Sequence, residues 1–203
     1  MKKIFIFSIP LIFFGIFVLL FQSNKTEIIK TSKEDIEIKV FFSPDDDIKS
    51  ELIKLIENEK SFIFCAMFRL TEKEITKALL DATLRGIKIV ALVDSEGLSG
   101  SYSKVIHLFK EGVPLYIFPS IEKSDLDEER KEKPLSQKNG LMHNKFFIFE
   151  SQKTVFTGSY NFTRAAQEIN QENVLIIKNE KIFNLYKNHF EKICSRSTLL
   201  GLS

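Results

Sequence analysis

A chain of 203 residues with 44% hydrophobic and 28% charged side chains fits one globular domain with a sizeable core. Its net charge of +2 falls by three, to −1, once Lys2, Lys3 and Lys25 in or beside the N-terminal segment are set aside, which argues against a long basic face for duplex nucleic acid. Two cysteines, Cys65 and Cys194, make no disulfide framework, and no Cys or His cluster has zinc-ligand spacing, so neither metal nor cofactor is expected.

The chain opens with Lys2 and Lys3, followed by the uncharged run Ile4 to Phe21. Eighteen such residues stand at the lower edge of what spans a bilayer, and no small-x-small cleavage site follows. Residues 1–22 are read as a signal anchor, with a cleaved signal peptide as the alternative. By the positive-inside rule the remainder lies outside the cytoplasm, in a bacterial periplasm or at the cell exterior, or is secreted if the segment is cleaved. Residues 23–35 are polar, a short tether.

Ile36, Ile38 and Val40 alternate with Glu37 and Lys39, a first strand. Ser43 as N-cap, Pro44 at the first helical position and three following aspartates predict a helix whose core face is Ile48, Leu52, Ile53 and Ile56. Ser61 to Phe68 is an apolar strand fit for a central position, with Cys65 as a small buried hydrophobe. Thr71 and Glu74 predict a capping box for a second helix, with Gly86 past its end. Ile87 to Val93 is another buried strand, stopping at Asp94. A helix over 101–111 and a strand over 114–118 complete a βαβαβαβ pattern, which implies parallel pairing. Residues 119–140 are charged, either a solvated loop or a rim over the site that follows.

The next stretch, His143 to Asn161, carries the chemistry. In an extended strand His143 and Lys145 project to one face, with Phe147 and Phe149 continuing the row. After a turn at Ser151 and Gln152, a second strand runs to Gly158-Ser159-Tyr160-Asn161. The glycine permits a tight turn, and Asn161 opens a helix-like segment, FTRAAQEI, whose N-terminus favours an anion. Imidazole, ammonium, hydroxyl and carboxamide at one point describe a phosphate site. A strand over 174–177 and a helix over 181–193 follow. The whole predicts an α/β/α sandwich with a mixed, largely parallel central sheet over residues 36–195, and a tail at 196–203.

The pattern His143-x-Lys145, four residues, Glu150, then Gly158-Ser159-x-Asn161 resembles the signature of the phospholipase D superfamily. The similarity runs from about Glu37 to Ile193 and looks most like the small single-motif branch, which includes bacterial phospholipase D-like endonucleases and mitochondrial cardiolipin hydrolase. The resemblance implies the same fold and a metal-independent phosphodiesterase. His143 would attack phosphorus and form a phosphohistidine. Lys145 and Asn161 would bind phosphate oxygens, assisted by Ser159. Glu172 stands where the family's endonucleases have a glutamate that could hold the second imidazole nitrogen; otherwise it is a surface residue in a polar turn. Glu150 replaces the family's aspartate, a departure expected to tune structure, since that residue is not the nucleophile.

Family enzymes use two such motifs, one histidine attacking and the other protonating the leaving group. This chain holds one. His107 and His189 start no second motif and read as residues on amphipathic helix faces. A symmetric homodimer with a shared site completes the chemistry. Three functions stay open: an endonuclease acting on single-stranded DNA or RNA, a phospholipase acting on lipids such as cardiolipin, and a catalytically inactive binder of phosphate ligands.

Overall fold

The computed structural model describes residues 29–30, 36–98, 103–119 and 140–201. The N-terminal hydrophobic segment, most of the tether and nearly all of the charged stretch 119–140 lie outside the described residues. Among the described residues, no helix is long and apolar enough to cross a membrane.

The strands are β1 (Ile29–Lys30), β2 (Glu37–Ser43), β3 (Phe62–Met67), β4 (Lys88–Asp94), β5 (Leu115–Phe118), β6 (Phe146–Phe149), β7 (Thr154–Gly158), β8 (Glu172–Lys178) and β9 (Thr198–Leu199). They form one sheet in the order β1-β2-β8-β7-β6-β3-β4-β5-β9. The α/β class is as expected and the sheet is mixed, but it is not largely parallel. Parallel pairing is confined to β3–β4 and β4–β5. Every other neighbouring pair is antiparallel. The expected succession of parallel strands fails at β2, which runs in the same direction as β3 but pairs with β8 along its whole length. The meander β6–β7–β8, encoded a hundred residues later, is inserted between them.

Among the described residues, six helices flank the sheet: α1 (Ile48–Asn58), α2 (Lys73–Leu84), α3 (Ser95–Leu98), α4 (Val105–Lys110), α5 (Arg164–Glu168) and α6 (Glu180–Cys194). On one face α1, α2 and α4 bury Ile48, Leu52, Ile56, Ile75, Leu79 and Val105 against Ile63, Cys65, Phe147, Phe149 and Phe156. On the other, α6 buries Phe183, Phe190 and Ile193 against Phe146, Ile148 and Val155. Each such side chain contributes about 1.5–3 kcal/mol through burial. The meander strand β6 is buried on both faces, which is why FFIF shows no alternation.

Three local expectations are corrected. The first helix starts at Ile48, not at Pro44. Asp46 instead closes a turn: its N–H donates to the Phe42 carbonyl (2.8 Å), and its carboxylate accepts from the Phe42 N–H (2.7 Å). Asp47 is the cap, accepting from the Ser50 N–H, and the Ser43 hydroxyl donates to the Ala166 carbonyl. The second helix is capped by Glu72 and not by Thr71, because the Thr71 N–H donates to the Phe162 carbonyl. Two short strands also fall outside the expected domain: β1 lies in the stretch read as tether and β9 in the stretch read as tail.

Candidate active site

Several strand ends meet at one pole of the sheet. The registers Ser43↔Glu172, Gly158↔Val174 and Ala66↔Phe146 place the ends of β2, β3 and β7, the start of β8 and the approach to β6 side by side. The end of β4, at Asp94, lies at the same pole because Val93 pairs in parallel with Met67.

His143 and Lys145 stand on the approach to β6 and gather on one ring, that of Phe68. The imidazole centre is 4.5 Å from the Phe68 ring centre, tilted by 60°. The Lys145 ammonium is 4.8 Å from the same centre and donates a 2.7 Å hydrogen bond to the His143 backbone carbonyl. Phe147 and Phe149 continue the row and stack on each other in the core. Lys145 is only 5% exposed. Burial pushes its ammonium down to about 8, opposed by the nearby Glu172 carboxylate. Partial burial, then the Lys145 charge, hold the His143 imidazole below the ordinary histidine value, against Asp94 and Glu96. A neutral imidazole beside a desolvated cation suits attack on an anionic phosphorus centre.

Gly158 ends β7, and its role differs from the tight turn expected. A Cβ there would sit 1.9 Å from the Asn173 carbonyl oxygen, so only glycine lets β7 and β8 close at this point. The Ser159 N–H then donates to that same carbonyl, and the Ser159 hydroxyl donates to the Glu172 carboxylate. Glu172 also accepts from the Asn170 side-chain N–H. Among the described residues of one chain, no hydrogen bond joins Glu172 to His143; its electrostatic partner is Lys145. Asn161 does not open a helix. Thr163 caps α5, which is five residues long and too short to act as an anion site. The Asn161 side-chain oxygen is buried without a hydrogen-bond partner. A buried polar atom left without a partner marks a place where a ligand or water can complete the bonding.

Glu150 lies at the far end of β6, away from this pole. Its carboxylate is 3.0 Å from the Lys187 ammonium of α6, so it secures the helix to the sheet. His107 and His189 are exposed on α4 and α6. Cys65 is fully buried, and Cys194 has its thiol pushed up to about 12 by burial. Among the described residues, no group of three or more His, Cys, Asp or Glu side chains could share a metal ion.

Three residues of the pole escaped sequence reasoning. Asp94, fully buried, accepts from the backbone N–H groups of Met142 (2.7 Å) and Glu96 (2.9 Å). A carboxylate closing an apolar strand was the available signal. Phe68 reads only as the end of the apolar run 61–68, Arg69 falls outside that run, and no local pattern marks either.

A sequence-family model described as cardiolipin synthase, PLD-like domain, matches residues 52–194. The chain is 28% identical over 161 residues to a phospholipase D of Rickettsia typhi, covering 79% of this chain and 70% of that one. It is 27% identical over 142 residues to the mitochondrial cardiolipin hydrolase of Xenopus tropicalis, covering 70% of this chain and 58% of that one. Among solved structures, Nuc of Salmonella typhimurium, a phospholipase D family member, shares the fold with a TM-score of 0.67 and 24% identity, over 83% of this chain and all of that one.

Proposed function

Because the chain belongs to the phospholipase D-like family, and is a phosphodiester hydrolase of that family, we propose that it is a metal-independent nuclease working through a phosphohistidine at His143. The observation that carries this reading is the gathering of the His143 imidazole and the buried Lys145 ammonium on the Phe68 ring. A nitrogen of His143 bonds to phosphorus as the bond to the leaving alkoxide breaks, and that oxygen takes a proton from a general acid. Water then attacks phosphorus, passing a proton back to the group that served as acid, as the phosphorus–nitrogen bond breaks and frees the imidazole. Lys145 and Asn161 hold the non-bridging oxygens, and Ser159 is kept in place by Glu172. Unstacked nucleic acid is the favoured substrate class, since a buried ammonium with an exposed guanidinium nearby suits a flexible polyanion.

The acid comes from a second copy of the chain. His107 and His189 lie on exposed helix faces, which leaves the symmetry mate of His143 for this role. Apolar residues open to solvent support such an assembly. Val40 and its cross-strand partner Leu175 are half-buried, Phe42 on the same strand as Val40 is 55% exposed, and Leu185 of α6 is 61% exposed. The uncharged run 4–21 supports placement at a membrane, with the catalytic domain outside the cytoplasm. It also favours the second reading, hydrolysis of a phosphatidyl lipid.

The test is a hydrolysis panel with the full chain in detergent and EDTA, with His143→Asn as control. Single-stranded DNA, RNA, duplex DNA and cardiolipin vesicles are compared. Cleavage of nucleic acid that depends on His143 supports the proposal. Turnover of lipid alone replaces it with the phospholipase reading, and no turnover leaves the inactive phosphate binder.

A further inference from the structure

Two independent features bring Arg69 to the pole around His143. The first is a shared ring: the Arg69 guanidinium carbon is 5.5 Å from the centre of Phe68, against which His143 and Lys145 also pack. The second is the backbone. The Phe162 N–H donates to the Arg69 carbonyl (3.1 Å), Leu70 and Phe162 form a parallel bridge, and the Thr71 and Glu72 N–H groups donate to the Phe162 carbonyl. The chain leaving β3 is thus stitched to the residue after Asn161, and the guanidinium is delivered to the rim of the site by rigid neighbours.

Arg69 differs from Lys145 in its surroundings. Its side chain is 59% exposed, and its ion-pair partner, Glu96, is 3.8 Å away and also solvated. An exposed pair of this kind is worth roughly 0–1 kcal/mol, so an incoming phosphate can displace it. A guanidinium presents its planar fork to two oxygens at once, the geometry of phosphate recognition. Lys145 is thus a buried cation within the site and Arg69 an exposed one at its rim.

We propose that Arg69 is a specificity-determining residue that takes the phosphate adjacent to the scissile one, so that the site prefers a chain of phosphodiesters, single-stranded nucleic acid, to an isolated one. The proposal rests on the phosphodiesterase reading and names its substrate class.

The test is equilibrium binding of a fluorescein-labelled single-stranded DNA oligonucleotide, followed by anisotropy over a series of KCl concentrations. The protein is the full chain in detergent carrying His143→Asn, which suspends turnover, with and without Arg69→Gln or Arg69→Lys. Arg69→Gln is expected to weaken binding about tenfold at low salt and to flatten the log–log salt dependence by about 0.7, the loss of one single-strand phosphate contact. Arg69→Lys is expected to restore the slope and part of the affinity. Unchanged affinity in Arg69→Gln overturns the proposal. So does weaker binding with an unchanged slope, which is the signature of a folding defect. Binding to cardiolipin vesicles but not to DNA by the Arg69-intact protein overturns the substrate class. Turnover of bis(p-nitrophenyl) phosphate with His143 restored reports separately on the phosphodiesterase reading, so the two can fail independently.

Discussion

The buried carboxylate of Asp94, at the end of β4, accepts a 2.7 Å hydrogen bond from the backbone N–H of Met142, one residue before His143. This ties the approach to β6 to a strand two places away in the sheet. Asp94 is a positioning residue: it holds the backbone from which His143 projects, and its charge opposes the lowering of the His143 value. Asp94→Asn removes that charge and turns one acceptor into a donor facing a backbone N–H. Stability is expected to fall by about 1–3 kcal/mol, read by thermal melting. kcat is expected to fall about 10- to 100-fold. The acid limb of the pH–rate profile moves to lower pH, because a charge that favoured protonated His143 is gone. A purely structural Asp94 would leave that limb in place.

In its proposed role, Lys145 would set an alkaline limit on phosphate binding. Its ammonium loses its proton at about 8, so oligonucleotide affinity measured in the His143→Asn background should fall as pH rises through 8. Lys145→Arg, which stays charged, should carry binding to higher pH. The same group contributes to stability with a definite sign. Between about 8 and the ordinary lysine value the unfolded chain binds the proton and the folded one does not, so this group makes stability rise with pH across that window. Lys145→Met should remove the rise, abolish turnover and raise Tm at neutral pH by a few degrees, about 2–4 °C for each 1 kcal/mol of relief.

Gly158→Ala forces a methyl group onto the Asn173 carbonyl, where neither strand can yield without breaking its ladder. A loss of about 1–3 kcal/mol or more is expected in denaturant titration. kcat should drop about 100-fold in whatever protein still folds, since Ser159 moves with the strand. Wild-type melting and turnover in this variant would show that β7 and β8 can part here at no cost.

The proposed shared site would make two copies of the chain interdependent. Mixing wild type with excess His143→Ala, under conditions where subunits exchange, should suppress activity beyond dilution. Purely proportional loss in exchanged samples would sink the shared site and send the search for a general acid back into one chain.

Much of the fold is legible because it rests on chemistry a few residues wide. Apolar runs mark β3, β4 and β6, the 3.6-residue period of Ile48, Leu52 and Ile56 marks α1, and the pattern from His143 to Asn161 marks the site. Local signals compete at element ends, and there the reading slipped. Asp46 preferred a turn to a helix, and the Phe162 carbonyl claimed the Thr71 N–H that a capping box would have given to the Glu74 carboxylate.

What only the tertiary structure decided are relationships between distant residues. Strand succession cannot reveal that the β6–β7–β8 meander would part β2 from β3, because the partner of an open strand edge is whichever apolar segment buries both best. Asp94 meets Met142 across 48 residues. Phe68 and Arg69 reach the site because Phe162 holds their strand end against it. The sequence by itself determined which groups can perform the chemistry. Packing decided which of them are desolvated, as Lys145 is, and which stay open to solvent, as Arg69 does, because burial depends on neighbours far away in the sequence.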